Sequence, residues 1–495
     1  MDNSAIEEPG VWYRVRHVRT IIIAVTVSFV IVPQFLNGMS FNGVTHDITD
    51  VWHTNGDWPH LRSWDEVRRT TQISYIVVGT LASALFAFLF ERYRRKTCLY
   101  LVCTCHFITS ILLICTNSYW LLHVTRAFCA IGDVGAGMFC VIYVSEIAPY
   151  EIRGGLVAIH KLLYDFIDII PFAIYLLHIP LKSLPFSFVS IAVSVFVAIC
   201  TYVCVPESPI YFLRRDDMTG ALESFKFLHK NETDVNQILS NKKNILKATR
   251  SDFETTTNIF QDYFNRRTLT FSCIAIALYL LRIMASFWLK GYGSEAVLWG
   301  LPKFKLSLSP RFWIMQELSI IFCNLLAIAL CDRVGRRKLF LVSAFVSSIS
   351  SVVCGVILIA EQYNLNNETV WDRLQIVYYV FNVLHLLSFN MGLNFLPEVL
   401  IADIFPPKIL NIQVAMLSSF HISADYVLHY EINSPWKDHT SLIEYWLLWI
   451  FGGLSFFLTF FIVKFLSETK RRPPGFMYIE IEDRVLYSAL QDDME

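Results

Sequence analysis

Apolar stretches of about 20 residues recur along the whole chain, each closed by a short polar or charged run. That length suits a helix crossing a hydrocarbon core roughly 30 Å thick. The runs Thr20 to Val32, Ile73 to Phe90, Leu184 to Val205 and Leu447 to Phe465 hold no Asp, Glu, Lys or Arg except Lys464. A soluble amphipathic helix would be shorter and would alternate polar with apolar faces. The pattern predicts an all-α polytopic membrane protein with twelve spanning helices, at about 19–41, 71–90, 97–115, 119–144, 156–178, 184–205, 268–290, 311–331, 339–360, 374–402, 409–430 and 444–465. Six precede and six follow a polar stretch, so the chain divides into an N-terminal tail (1–18), a six-helix bundle (19–205), a linker with short helices (206–267), a second six-helix bundle (268–466) and a C-terminal tail (467–495).

Charge refines this picture. A basic motif occurs twice between apolar runs, as Glu91-Arg-Tyr-Arg-Arg-Lys96 and Asp332-Arg-Val-Gly-Arg-Arg-Lys338, and two related halves are its simplest reading. Arg14, Arg16, Arg19, Arg92 to Lys96, Arg153, Arg333 to Lys338, Lys408 and Lys470 to Arg472 fall on one side, which the positive-inside rule makes cytoplasmic along with both termini and the linker. Helix 1 follows an acidic start with Glu7 and Glu8 and lacks a small-residue cleavage site, so it reads as a retained span. The plasma membrane is the expected location. Hydrophobic residues make up 55% of the chain and the formal net charge is -1, so the basic clusters point to a bilayer partner and not to nucleic acid. The twelve cysteines all fall in or at the ends of predicted helices, which implies no disulfide framework, and no CxxC suggests a metal. Asn367 heads an Asn-Glu-Thr sequon in a predicted outer loop and is a candidate glycan acceptor. No phosphate-binding glycine loop, GxSxG or HExxH is present, which argues against an enzyme.

The ordered motifs carry a resemblance. Arg126 in helix 4, Ser145-Glu-Ile-Ala-Pro149 with Arg153-Gly154, Pro206-Glu-Ser-Pro209, Asp332 to Lys338, Asp403-Ile-Phe-Pro406 and Ser467-Glu-Thr-Lys470 appear in sequence over most of the chain. With them the chain resembles the sugar porter branch of the major facilitator superfamily. The resemblance implies the major facilitator fold, alternating access about a midplane site, a small-molecule solute, and no nucleotide, metal or other cofactor. It also implies a gate of carboxylates and guanidiniums at the inner helix ends, here Arg92, Glu146, Arg153, Glu207, Asp332, Arg333, Arg336, Arg337, Asp403 and Glu468. The first motif copy departs from the family by carrying Arg94 where a glycine is usual, whereas Gly335 keeps the second copy intact.

The central site departs further. His160-Lys161 stands where the family reads His-Gln, Ala285 and Ser286 stand at its paired glutamines, Glu398 at its tryptophan, and His421-Ile422 at its Asn-Trp pair. Candidate substrate contacts are therefore Asn42, Lys161, Asp165, Arg282, Ser286, Asn390, Asn394, Glu398 and His421. Each charge would cost about 2.5 to 3.5 kcal/mol at the centre of a lipid-facing helix, so these side chains are expected to face the cavity or one another. Lys161 and Asp165 are four apart on one helical face and can neutralise each other, with Asp168 next along it. Asn42 occupies the place of the helix-1 aspartate of proton-linked members, which favours facilitated diffusion and leaves Asp133 and His421 as proton-relay candidates. The expected cargo is a carbohydrate, a hexose or a disaccharide. Two alternatives stand beside it: a charged organic solute, and a non-transporting sensor on the same fold.

Overall fold

The structure, a computed structural model, describes residues 18–41, 44, 64–116, 118–149, 152–176, 183–228, 266–287, 310–362, 368–426, 441–470 and 472. Twelve helical traverses run through them, six on each side of two short helices. The first six are α1 (Val18–Phe41), α2 (Trp64–Arg92), α3 (Arg95–Cys115), α4 (Tyr119–Ile147), α5 (Arg153–Leu176) and α6 (Ser183–Cys204). The short helices α7 (Pro209–Leu213) and α8 (Met218–Leu228) follow. The second set comprises α9 (Arg266–Phe287), α10 (Pro310–Val334), α11 (Arg336–Gln362), α12 (Glu368–Ser388) continued by α13 (Leu396–Ile404), α14 (Pro407–Tyr426) and α15 (Ser441–Phe465).

Eight traverses are long and apolar enough to cross a membrane by length and composition, and Ile409–Ala424 and Trp449–Phe465 are shorter apolar helices. The other two, α5 and α10, carry the charges that interrupt the apolar pattern, and they pack against each other across the two bundles. The second inter-bundle seam joins α2 to α14. Within the first bundle α4 packs on both α2 and α3 and is buried from Gly132 through Ile147 apart from Gly137. Outward faces are apolar instead: Ile73, Val77, Leu81, Leu85 and Phe88 line α2, and Phe188, Phe196, Ile199, Tyr202 and Val203 line α6. A surface of this kind belongs against lipid, because water would not tolerate so large a patch.

One traverse is broken. Pro397 has no N–H to donate, and the chain widens into a π turn at Phe389–Leu393 between α12 and α13, with Asn394 N–H reaching the Phe389 carbonyl at 2.9 Å. Such interruptions are found in transporter helices where backbone lines a site instead of lipid.

Candidate functional site

Both halves build the same ionic cluster at the end that carries the basic motifs. In the first half Arg95 is fully buried and grips Glu146 bidentately, Nη2 to Oε1 at 2.6 Å and Nε to Oε2 at 3.0 Å. Glu207 then accepts the first N–H groups of α3, Arg95 at 2.7 Å and Lys96 at 3.4 Å, supplying the cap that the helix start lacks. Burial pushes the Glu207 carboxyl above its usual range, and those backbone donors oppose the rise. In the second half Arg336 is likewise fully buried and binds Asp403 at 2.5 Å and Asp332 at 2.8 Å, while Glu468 accepts the Arg336 N–H at 2.9 Å. Gly335 makes this turn with φ +113, a backbone that other residues adopt only under strain. Arg94, at the matching place, is extended at φ -62 and ψ 144, so the two copies enter their helices differently.

Among the described residues, the contacts that cross between helices of the two bundles at this end include three. Arg153 pairs with Asp403, the Gly155 N–H donates to Asp332 Oδ2 at 2.9 Å, and Asn411 Nδ2 donates to Glu91 Oε2 at 3.2 Å. A side chain at Gly154 would put its Cβ 2.7 Å from both Asp332 Oδ1 and Cys331 Sγ, so α5 approaches α10 closely only with glycine there. Arg92 does not join the cluster: its side chain is exposed, as is that of Arg333, and the buried guanidinium of the first half belongs to Arg95. The reason is helical. Arg95 and Arg336 each lie four residues after the motif's acid, turned inward, whereas Arg92 and Arg333 lie one residue after it and turn out. Arg337 is half-buried and donates to the Val463 carbonyl at 2.7 Å.

A second set of charges lies deeper. Arg282 of α9 binds Glu398 Oε1 at 2.6 Å, and His160 Nε2 of α5 sits 2.9 Å from Glu398 Oε2, so one carboxylate joins the two bundles. Next along α5, Lys161 Nζ lies 3.5 Å from Asp165 Oδ1 and 4.4 Å over the Tyr164 ring, and Asp165 Oδ2 accepts from Asn324 of α10, a second bridge between bundles. At about 1.5 Å per residue, Asp165 stands about 18 Å along α5 from Arg153, close to mid-depth of a roughly 30 Å core. Lys161, Asp165, Arg282 and Glu398 are thus brought into one region. His160 and Asn324 complete it and were not among the candidate contacts; the sequence marked His160 only as the neighbour of Lys161, and Asn324 is a neutral side chain in an apolar run that gives no sign of its partner.

The remaining candidates make other contacts. Asn390 and Asn394 are buried and bonded along their own helix, Asn394 Nδ2 to Asn390 Oδ1 at 3.1 Å and Asn390 Nδ2 to the Leu386 carbonyl at 2.9 Å. The Ser286 hydroxyl donates to the Ile283 carbonyl at 2.9 Å. His421 packs edge-on to Tyr279 with ring centroids 6.1 Å apart. Asp133 lies inside the first bundle: its Oδ2 accepts from the Tyr75 hydroxyl at 2.9 Å and the Cys129 thiol at 3.4 Å, and its Oδ1 is 3.9 Å from His106 Nδ1. Arg126, one turn before Cys129, binds Gln72 at 2.6 Å and stacks over the Phe41 and Tyr75 rings. Asn42 and Asn367 lie outside the described residues, as does the side chain of Asp168.

The sequence profile of the sugar (and other) transporter family matches residues 43–476, which takes in both ionic clusters and the deeper charges. The chain belongs to this family. It is therefore a multi-pass membrane transporter and not an enzyme. Sugar transporter ERD6 of Arabidopsis thaliana is 25% identical over 287 residues, covering 57% of this chain and 54% of that protein. Facilitated trehalose transporter Tret1 of Drosophila erecta is 22% identical over 273 residues, covering 54% of this chain and 30% of that protein. The chain spans about half or less of the length of these relatives. Among solved structures, the major facilitator proton:xylose symporter XylE bound to 6-bromo-6-deoxy-D-glucose has the same fold, with a TM-score of 0.69 at 20% identity over 92% of this chain and 99% of that one.

Proposed function

We propose that this sugar transporter family member carries a neutral carbohydrate, a hexose or a disaccharide, by alternating access and facilitated diffusion, with both termini cytoplasmic and the plasma membrane as its location. The observation that carries the reading is the pairwise cancellation of the deep charges. Glu398 is taken by Arg282 and His160, and Asp165 by Lys161 and Asn324, so these charged side chains answer each other among the described residues, which favours a neutral solute. The donors and acceptors of these pairs suit sugar hydroxyls, which both give and accept hydrogen bonds. Lys161, with 20% of its side chain exposed, is the most open charge of the set and the first expected to touch the solute.

At the basic end, Arg153 with Asp403 and Asp332 with Gly155 act as the latch that holds the cavity shut on that side. Rocking of one bundle against the other breaks this latch, and the deeper bridges through Glu398 and Asp165 must exchange partners in the same movement. Asn42 in place of the helix-1 carboxylate supports facilitated diffusion. The named substrates of the relatives, trehalose for Tret1 and xylose for XylE, support the carbohydrate class.

The test is uptake of labelled hexoses and trehalose beside organic cations and anions, in cells with verified surface expression. Saturable sugar uptake unaffected by a pH gradient is expected. Uphill uptake driven by that gradient would overturn the facilitated mode, and uptake of charged solutes alone would overturn the carbohydrate reading and make Lys161 and Glu398 their ligands.

A further inference from the structure

The departure at Arg94 has a structural counterpart on the surface. A hollow of about 580 Å³ at the basic end of the first bundle is lined by Arg92, Tyr93, Arg94, Thr97, Tyr211 and Arg215. Three arginines thus line one concavity, with no carboxylate among its described lining residues. Of the carboxylates nearby, Glu91 binds Arg214 and Asn411, and Asp217 accepts from the Thr219 hydroxyl at 2.8 Å and the Gly220 N–H at 3.0 Å and also feels the Arg94 charge. Arg215 is fixed in place, donating to the Arg92 carbonyl and lying 4.6 Å over the Tyr211 ring. Neither Arg92 nor Arg94 makes an ion pair among the described residues. In the second half the corresponding motif positions are Val334 and Gly335, which cannot supply a cation and a phenol.

The surface beside the hollow is apolar. Tyr202 and Val203, on the last turn of α6, are 79% and 67% exposed, and Leu101, about a turn up α3 from Thr97, is 39% exposed. Cations at the foot of an apolar face match an amphiphile whose head is anionic and whose tails are apolar. Topological anchoring needs basic charge at this end but does not need it gathered on a hollow.

We propose that this hollow binds the headgroup of an anionic phospholipid bearing a phosphate monoester, with Arg92, Arg94 and Arg215 on the phosphate, the Tyr93 and Tyr211 rings at its sides, and the acyl chains along α3 and α6. A phosphate oxygen set suits this donor array, because guanidinium forks bind such oxygens bidentately.

The test uses the purified full-length protein in detergent and measures binding of short-chain phosphatidic acid, with phosphatidylcholine and glycerol phosphate as comparison probes. Phosphatidic acid is expected to bind above both, and Arg94→Gln and Arg215→Gln each to weaken it about fivefold, while Lys338→Gln in the second half leaves it unchanged. Arg94→Gln keeps the extended backbone that Arg94→Gly would release, so a folding defect does not imitate loss of the site. Equal binding of wild type and an Arg94→Gln/Arg215→Gln double variant would overturn the proposal, as would equal loss in Lys338→Gln. Glycerol phosphate binding as tightly as the lipid would overturn the lipid assignment and leave a phosphate site alone.

Discussion

At the scale of single residues, the arginines of the first motif separate a structural charge from a surface one. Arg95→Gln strands Glu146, a carboxylate only 2% exposed, and a broken buried pair costs about 3–5 kcal/mol. Arg92→Gln changes an exposed side chain and should stay within about 0.5 kcal/mol of wild type. Thermal unfolding of the two purified variants checks this, and a similar fall in both would refute the assignment. A cycle across Arg282 and Glu398 probes the deeper pair. Arg282→Met or Glu398→Leu alone should be strongly destabilising, whereas the double variant should recover most of the loss, because it removes both charges together. Additive losses would mean that the pair is not coupled. These charges were legible in the sequence because Glu398, Arg282 and Lys161 interrupt apolar runs where each must find a partner. Which partner was not legible. Arg282 and Glu398 are 116 residues apart, and only tertiary packing joins α9 to α13.

At the scale of elements, the contact of α5 with α10 at the basic end depends on glycine. Gly154→Val would press its side chain into Asp332 and Cys331 and force the two helix ends apart. Asp403→Asn would loosen the same seam electrostatically, by weakening the acceptor shared by Arg153 and Arg336. Cys331 reports on both changes, since it is buried at this seam. Its labelling by an impermeant maleimide applied from the basic side should be slow in the wild type and several-fold faster in either variant. Unchanged labelling would show that the seam does not close that end. The spans themselves were readable from hydropathy because a bilayer requires continuous apolar helices. Their ends were less so: α2 begins at Trp64 and α12 at Glu368, each several residues before its apolar run, because helices continue into polar flanks that hydropathy does not count. The π turn at Phe389–Leu393 was also hidden, although Pro397 and Gly392 marked the traverse as irregular.

At the scale of the whole molecule, duplication is the organising fact. Arg95, Glu146 and Glu207 in one half repeat as Arg336, Asp403 and Glu468 in the other, and each half uses its set to fix helix ends at the basic end. Bridges between the halves among the described residues include ionic and N–H contacts from α5 to the second half, the amide of Asn411 on Glu91 and the hydroxyl pair of Ser83 and Ser419, so motion between the bundles must break them along these seams. Two halves were visible in the repeated motif, but the asymmetry was not, since it depends on which residues of the second half reach across. The same geometry makes the proposal specific: the balanced pairs among the described residues at mid-depth call for a neutral cargo. Counterflow of labelled hexose or trehalose in proteoliposomes, recorded together with charge movement across the same membrane, tests it most directly. The account predicts saturable sugar counterflow without net charge transfer; charge movement coupled to the solute, or counterflow confined to organic ions, would contradict it.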